Sequence, residues 1–458
     1  MSTANSIAPK LAPPFPKGKH WLFGHAMYLK NRTVETITDF ADTYGDLVSL
    51  AFPFNKVVIA TNPEYARYIL VDNNKNYHKS LAYDVLKLML GNGLLTSEGD
   101  FWKQQRKLIQ PAFHKQKLAA LTKMMSDTSA ALAQKFEHYA ISGVYTDMLP
   151  EMTTVTLDII SKAIFSSGID DKKAEYIGQQ ILALNEMAIE RLNDPFKLPP
   201  VFPTAFNHKW KKIVANLDAI IYEIINQRRN EGVSKDDLLS MLLDARDEDT
   251  GEAMDNKQLR DEVMTIFLAG NETSANALTW MLYLLSQNPE AEEKMICEID
   301  GKLDAGVELT FDNVLQFQYV RMVIDESMRL FPPAWSVGRR NYEDDTLGGY
   351  HIQKGTNVLI PIIYYHRSEK YWDEPLKFKP ERFAPEVRNK IDRFVYFPFG
   401  GGPRLCIGNN FALIEMQLIL IQLYRKFRFR LKPGFQVDME PLITLKPKDG
   451  LMMKVERR

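Results

Sequence analysis

Between Pro63 and Gln287 the apolar residues recur mostly three and four positions apart, the spacing that lines them along one face of a helix. The rhythm breaks at Gly91 to Gly93, at Gly143, at Gly168 and from Asn193 to Pro203, where glycine and proline interrupt helical backbone. A long array of helices is therefore expected there. Ahead of it, a helical pattern opens at Glu35 and gives way to two short runs, LVSLAF and KVVIA, with Pro53 and Asn55 between them as turn residues. From Trp335 to Tyr365 the pattern becomes strand-like, with turns at Gly348-Gly349 and Lys354-Gly355. Helical spacing returns from Asn409 to Phe427, and strand-like alternation closes the chain. No internal repeat and no linker-like stretch divides the sequence. The pattern predicts one mainly α domain with small β-sheets over residues 16–458, behind a proline-rich leader at 1–15.

Composition narrows this picture. A length of 458 residues suggests about three domains by simple division, a prior that one large helical domain overrides. Apolar residues at 45% and charged residues at 25% are ordinary globular values, which excludes disordered and low-complexity classes. Lys plus Arg number 57 against 58 for Asp plus Glu, so no global field exists to hold nucleic acid. No secretory h-region opens the chain, and no apolar run reaches the ~18 residues of a transmembrane span. The nearest approach, Val263 to Leu285, is interrupted by Gly270, Asn271, Glu272, Thr273 and Ser274. A soluble, cytoplasmic chain without a transmembrane anchor is expected. The segment NDPFKLPPVFPTAF is too proline-rich for a helix and too apolar for an ordinary solvated loop, so it is either an entrance lid or a packed connector.

Only two cysteines occur, Cys297 and Cys406, which excludes a disulfide framework and any CxxC site. Cys406 lies in FGGGPRLCIG, just before the helix expected at Asn409. Unpaired backbone N–H groups and the helix dipole favour a thiolate at such a position. Three glycines and Pro403 let the loop run close to a flat ligand. A buried free cysteine acting as a small hydrophobe is the plainer reading, but it needs neither the glycines nor Arg404.

FGGGPRLCIG resembles the haem-ligand loop of the cytochromes P450, with Phe399, Gly402, Arg404, Cys406 and Gly408 on pattern positions. The resemblance covers roughly Pro13 to Leu451 and implies that family's triangular, mostly helical single-domain fold, with a long central helix and haem b as cofactor. It makes Cys406 the proximal thiolate on iron, where an anionic sulfur pushes electron density onto the metal and favours O–O cleavage. Phe399 then packs near the sulfur and Arg404 pairs with a propionate.

Further motifs appear in the family's order. VIDESMRL sets Glu326 and Arg329 at i and i+3 on one helical face and resembles the ExxR helix; Arg382 of the Pro380 to Phe383 segment completes its structural ion cluster. Alone, such a pair is an ordinary solvated one. Ala269 to Ser274 resembles the oxygen-activation motif: Glu272 would supply protons, Thr273 would hold the reacting oxygen, and Gly270 would leave it room. A kinked helix with a solvated Glu is the plainer alternative. Trp102 and Arg106 in WKQQR resemble a propionate-binding pair, and Arg339 stands where a further propionate arginine is common, with Arg340 beside it as the competing choice.

These resemblances imply a haem-dependent monooxygenase that inserts one oxygen atom from O2 into a lipophilic substrate. No nucleotide-binding glycine motif is visible, so electrons are expected from a separate ferredoxin or flavodoxin with an NAD(P)H reductase. Lys103, Lys107, Lys115 and Lys117 either attract such an acidic carrier or form a merely solvated face. Pocket positions are expected at Tyr77 to Leu95, Phe267, Ala269, Ala334 to Val337 and a late turn near Ile443; they are mostly apolar, which favours a large substrate of fatty-acid, terpenoid or carotenoid type. The chain is expected to act as a monomer. A peroxide-driven or non-oxidative haem-thiolate enzyme of the same fold, or a haem sensor, would not need the Glu272 and Thr273 pair.

Overall fold

A computed structural model describes residues 11–20, 23–29, 32–52, 55–166, 171–194, 198–232, 234–248, 250–303 and 307–458. The first ten residues of the leader, Pro53, Gly168 and positions 195–197 of the proline-rich segment lie outside the described residues. The chain divides into two compact units that interleave along the sequence.

The first unit comprises residues 1–83, 334–376 and 390–406. Its centre is a five-stranded sheet built from β1 (Leu47–Phe52), β2 (Asn55–Ala60), β3 (Tyr77–Lys79), β4 (Val337–Asn341) and β5 (Asn357–Ile360), in the order β1-β2-β5-β4-β3. β1 and β2 pair antiparallel with Leu47 opposite Ala60, β2 and β5 run parallel with Val57 opposite Asn357, and Val337 faces Ile360 across β4 and β5. β3 lies inside the stretch read as a helical array; three residues are too few to show a period. Ile362–Arg367, read as strand, is a short helix, the ordinary ambiguity of a brief apolar run. Leu70, Val358, Ile360, Tyr365, Phe394 and Phe397 share one buried cluster, which ties the sheet to the chain leading into the cysteine loop.

The second unit is helical, as the apolar period predicts. Its main elements are α1 (Gly99–Ile109), α2 (Lys115–Ser142), α3 (Met148–Phe165), α4 (Asp171–Asn193), α5 (Ala205–Glu231), α6 (Asn256–Gln287), α7 (Gln318–Leu330) and α8 (Asn409–Tyr424). Gly143 ends α2 at φ 62°, the left-handed stop that glycine adopts without steric cost. Asp255 caps the 32-residue α6 by accepting the Gln258 N–H at 2.7 Å. α8 ends at Tyr424, and Phe427, read as its last turn, instead opens the strand Phe427–Leu431. That strand pairs with Met452–Arg457. Among the described residues no helix is long and apolar enough to cross a membrane.

The ExxR cluster lies wholly inside this unit. Glu326 and Arg329 are fully buried on α7, with Arg329 Nε donating to Glu326 Oε2 at 2.7 Å and Nη2 to Oε1 at 2.8 Å. The Lys379 N–H donates to Glu326 Oε1 at 2.8 Å, and Arg382 Nε stands 3.4 Å from the same oxygen. Burial pushes the Glu326 carboxyl up, while Arg329, the Lys379 N–H and Arg382 pull against it. Removing one partner of such a pair strands a desolvated charge. Arg329→Ala should therefore cost ~3–5 kcal/mol in urea unfolding. A loss no larger than the ~0–1 kcal/mol of a surface pair would show that the cluster is not structural.

Candidate active site

The cysteine loop folds back on itself within the first unit. Gly400 N–H donates to the Phe397 carbonyl at 2.9 Å, Leu405 N–H to that of Gly402 at 3.1 Å, and Cys406 N–H to that of Phe399 at 3.0 Å. Gly402 has φ +70°, and a Cβ there would lie 2.0 Å from the Leu70 carbonyl oxygen, so the loop closes only with glycine at that position. Behind it, the Phe397 N–H donates to Nε2 of the buried His366 at 3.1 Å, a support the motif does not reveal. The result is an exposed Cys406 thiol, with Phe399 and Arg404 half-buried. A cysteine serving as a core hydrophobe would be buried.

In the second unit α6 has an opening. Leu259 to Thr265 and Ser274 to Leu282 are buried, yet Ala269 is exposed and Gly270, Glu272 and Thr273 are only half-buried. Two pocket assignments change here. Phe267 is fully buried, its ring 6.4 Å from that of Phe165 on α3, so it belongs to the core and does not line the opening. A Cβ on Gly270 would lie 2.8 Å from Ile160 Cδ1, so packing of α3 against α6 requires the glycine, rather than room for oxygen. In the first unit, Ala334 is exposed and Val337 half-buried.

Glu272 and Thr273 take separate partners. Thr273 Oγ1 donates to the Ala269 carbonyl at 2.7 Å, which engages its proton and leaves its oxygen lone pairs to accept. Thr444 Oγ1 donates to Glu272 Oε1 at 2.5 Å, the Asn185 amide of α4 donates to Oε2, and Asn276 Nδ2 donates to Thr444 Oγ1 at 3.0 Å. Burial pushes the Glu272 carboxyl up, against the opposing pull of the Thr444 bond and Lys446. Such a group is suited to holding a proton above the usual carboxylate range. Asn185, Asn276 and Thr444 carried no local sequence signal, although Thr444 adjoins the late turn at Ile443.

The remaining candidates occupy distinct surroundings. Trp102 is buried and Arg106 half-buried on α1. Adjacent residues of a strand point to opposite faces. Arg340 donates from Nε to the Gly355 carbonyl at 3.1 Å, whereas the buried Arg339 donates to the neighbouring Gly338 carbonyl at 3.0 Å. Gly408 has φ −89°, and a Cβ there would meet only Phe113 at 3.8 Å, so the protein's own packing does not demand glycine. Within the first unit, an exposed thiol on a loop that glycines keep close to its own backbone fits a flat prosthetic group. The basic face is less basic than its sequence: Lys103 pairs with Asp100 at 2.7 Å and Lys107 with Glu248 at 3.0 Å. Lys107 and Lys117 also line a cleft of about 290 Å³ together with Asp236, Asp244, Asp247 and Glu248.

The Cytochrome P450 family model matches residues 13–455, and the chain belongs to that family. It is 32% identical over 413 residues to the cyclooctat-9-en-7-ol 5-monooxygenase of Streptomyces melanosporofaciens, covering 90% of this chain and 88% of that one. It is 31% identical to the protein LUTEIN DEFICIENT 5, chloroplastic, of Arabidopsis thaliana, covering 91% and 73%. Among solved structures, the cytochrome P450DA heme domain superposes with a TM-score of 0.90 at 27% identity, covering 98% of both chains.

Because the Thr444 hydroxyl stabilises the Glu272 carboxylate, Thr444→Val should raise the Glu272 pKa further. The alkaline limb of product formed per NAD(P)H should then move to higher pH. An unmoved or acid-shifted limb would show that Glu272 does not set it.

Proposed function

We propose that the protein inserts one oxygen atom from O2 into a large lipophilic substrate, with electrons delivered by a separate ferredoxin or flavodoxin and its NAD(P)H reductase. The observation that carries this reading is the opening in α6, where an exposed Ala269 adjoins a hydroxyl free to accept and a carboxyl whose pKa is raised. Residues 16–458 act as a single haem domain in the cytoplasm. Cys406 would be the iron ligand, and Arg404, Trp102, Arg106 and Arg339 would hold the propionates. Haem b held by these residues supplies a redox iron for splitting dioxygen.

The chain's own part is proton control. Glu272, its pKa raised by burial, would pass protons toward Thr273 through water, and the Thr273 oxygen is placed to accept a hydrogen bond. The relatives named for cyclooctat-9-en-7-ol and for lutein, both lipophilic molecules, support a terpenoid or carotenoid substrate, with fatty acids as the remaining class.

The test is turnover with a surrogate ferredoxin and reductase across those three lipid classes. Wild-type protein should shift its haem spin state with one class and form hydroxylated product. Thr273→Ala should consume NAD(P)H at a similar rate but lose most of that product. Equal product per NAD(P)H in the two proteins would overturn the proton relay.

A further inference from the structure

Residues 91–95, which run from the short helix Ala82–Leu90 towards α1, are seated on the first third of α6 by two neighbouring acids. The Asn92 N–H donates to Asp261 Oδ2 at 2.8 Å, and the Leu94 N–H donates to Glu262 Oε2 at 2.9 Å. Both acids are buried, so each bond takes the place of water that the carboxyl group has lost. Arg260 Nη1 donates to the other oxygen of Asp261 at 2.9 Å, while its Nε donates to Asp218 of α5 at 2.6 Å. Two glycines make the close approach possible. Gly91 has φ +64°, and a Cβ there would collide with the Asp261 carboxyl group. A Cβ on Gly93 would collide with Thr265 Oγ1 and lie 2.6 Å from the Asp261 carbonyl oxygen. Thr96 closes the loop, its hydroxyl donating to the Gly91 carbonyl at 2.7 Å.

Helical spacing connects this seat with the opening in α6. Glu262, Thr265 and Ala269 follow one another at intervals of three and four, which is one face of the helix, and seven residues advance about 10 Å along its axis. The loop is therefore anchored about two turns from the exposed Ala269, on the face that presents it. Leu94 and Leu95 are half-buried there rather than packed away. We propose that Asp261 and Glu262 are positioning residues: they hold the backbone of residues 91–95 in place so that Leu94 and Leu95 set how a lipophilic substrate lies beside Ala269. This rests on the α6 opening being where the substrate is oxidised. Neither acid takes part in the reaction; both act through the loop. Loss of the Glu262 carboxyl leaves the Leu94 N–H without its acceptor, and the loop then samples more than one position.

The experiment compares wild-type holoprotein with Glu262→Ala and Glu262→Gln, the second of which keeps an oxygen acceptor. Residue-resolved hydrogen exchange at the Leu94 amide should be about tenfold faster in E262A and unchanged in E262Q. Spin-state titration and turnover use dodecanoic acid, geranylgeraniol and β-carotene as probes. With the probe that wild type binds, E262A should bind about fivefold more weakly and shift the position of hydroxylation, and E262Q should restore both. If E262A does not fold, Gly93→Ala, which displaces the loop without touching either acid, should give the same changes. Unchanged exchange at Leu94 overturns the proposal, as do an unchanged affinity and product position in a variant whose loop exchanges fast. If no probe binds, the substrate reading fails and the orienting role falls with it, while exchange at Leu94 still shows whether the acids hold the loop.

Discussion

Holding an exposed cysteine on a loop of fixed geometry is the constraint that much of the first unit meets. Cys406 gains its exposure from a loop whose internal hydrogen bonds run from Phe397 to Cys406 and whose contact with the Leu70 carbonyl excludes any side chain at Gly402. The five-stranded sheet contributes Val358 and Ile360 to the same buried cluster as Leu70, Phe394 and Phe397. His366 adds a neutral acceptor for the Phe397 N–H. The loop is thus pinned on its apolar side by packing and on its backbone by hydrogen bonds, with Cys406 exposed at its end.

The second unit surrounds three carboxyl groups in three ways. Glu326 is matched by Arg329 and Arg382, an arrangement that resists proton exchange and suits a structural role. Glu272 is held by the neutral donors Asn185 and Thr444, and burial raises its pKa. Glu415 is fully buried with neither carboxyl oxygen hydrogen-bonded, and burial pushes its pKa up. Burial alone does not assign a role to an acid; the identity of its partners does.

Much of this was legible from residue order because the signals are local. A helical period, a glycine-bounded cysteine and carboxylate and arginine at i and i+3 each lie within a few residues. What escaped was long-range or subtractive. Asn185 and Thr444 reach Glu272 from 87 and 172 residues away, and no period records such a partnership. Gly270 was read as room for a ligand when Ile160 of α3 occupies that side, and Phe267 was read as pocket lining when Phe165 covers it. A helix pattern tells which residues turn inward, but not whether inward means a neighbouring helix or a cavity.

The central claim is that Cys406 binds haem iron as a thiolate. Its most direct measurement is the absorption spectrum of the reduced, CO-bound protein, wild type against Cys406→Ser. The account predicts the long-wavelength thiolate-type Soret band in the wild type and its loss in C406S. Retention of that band in C406S would contradict it.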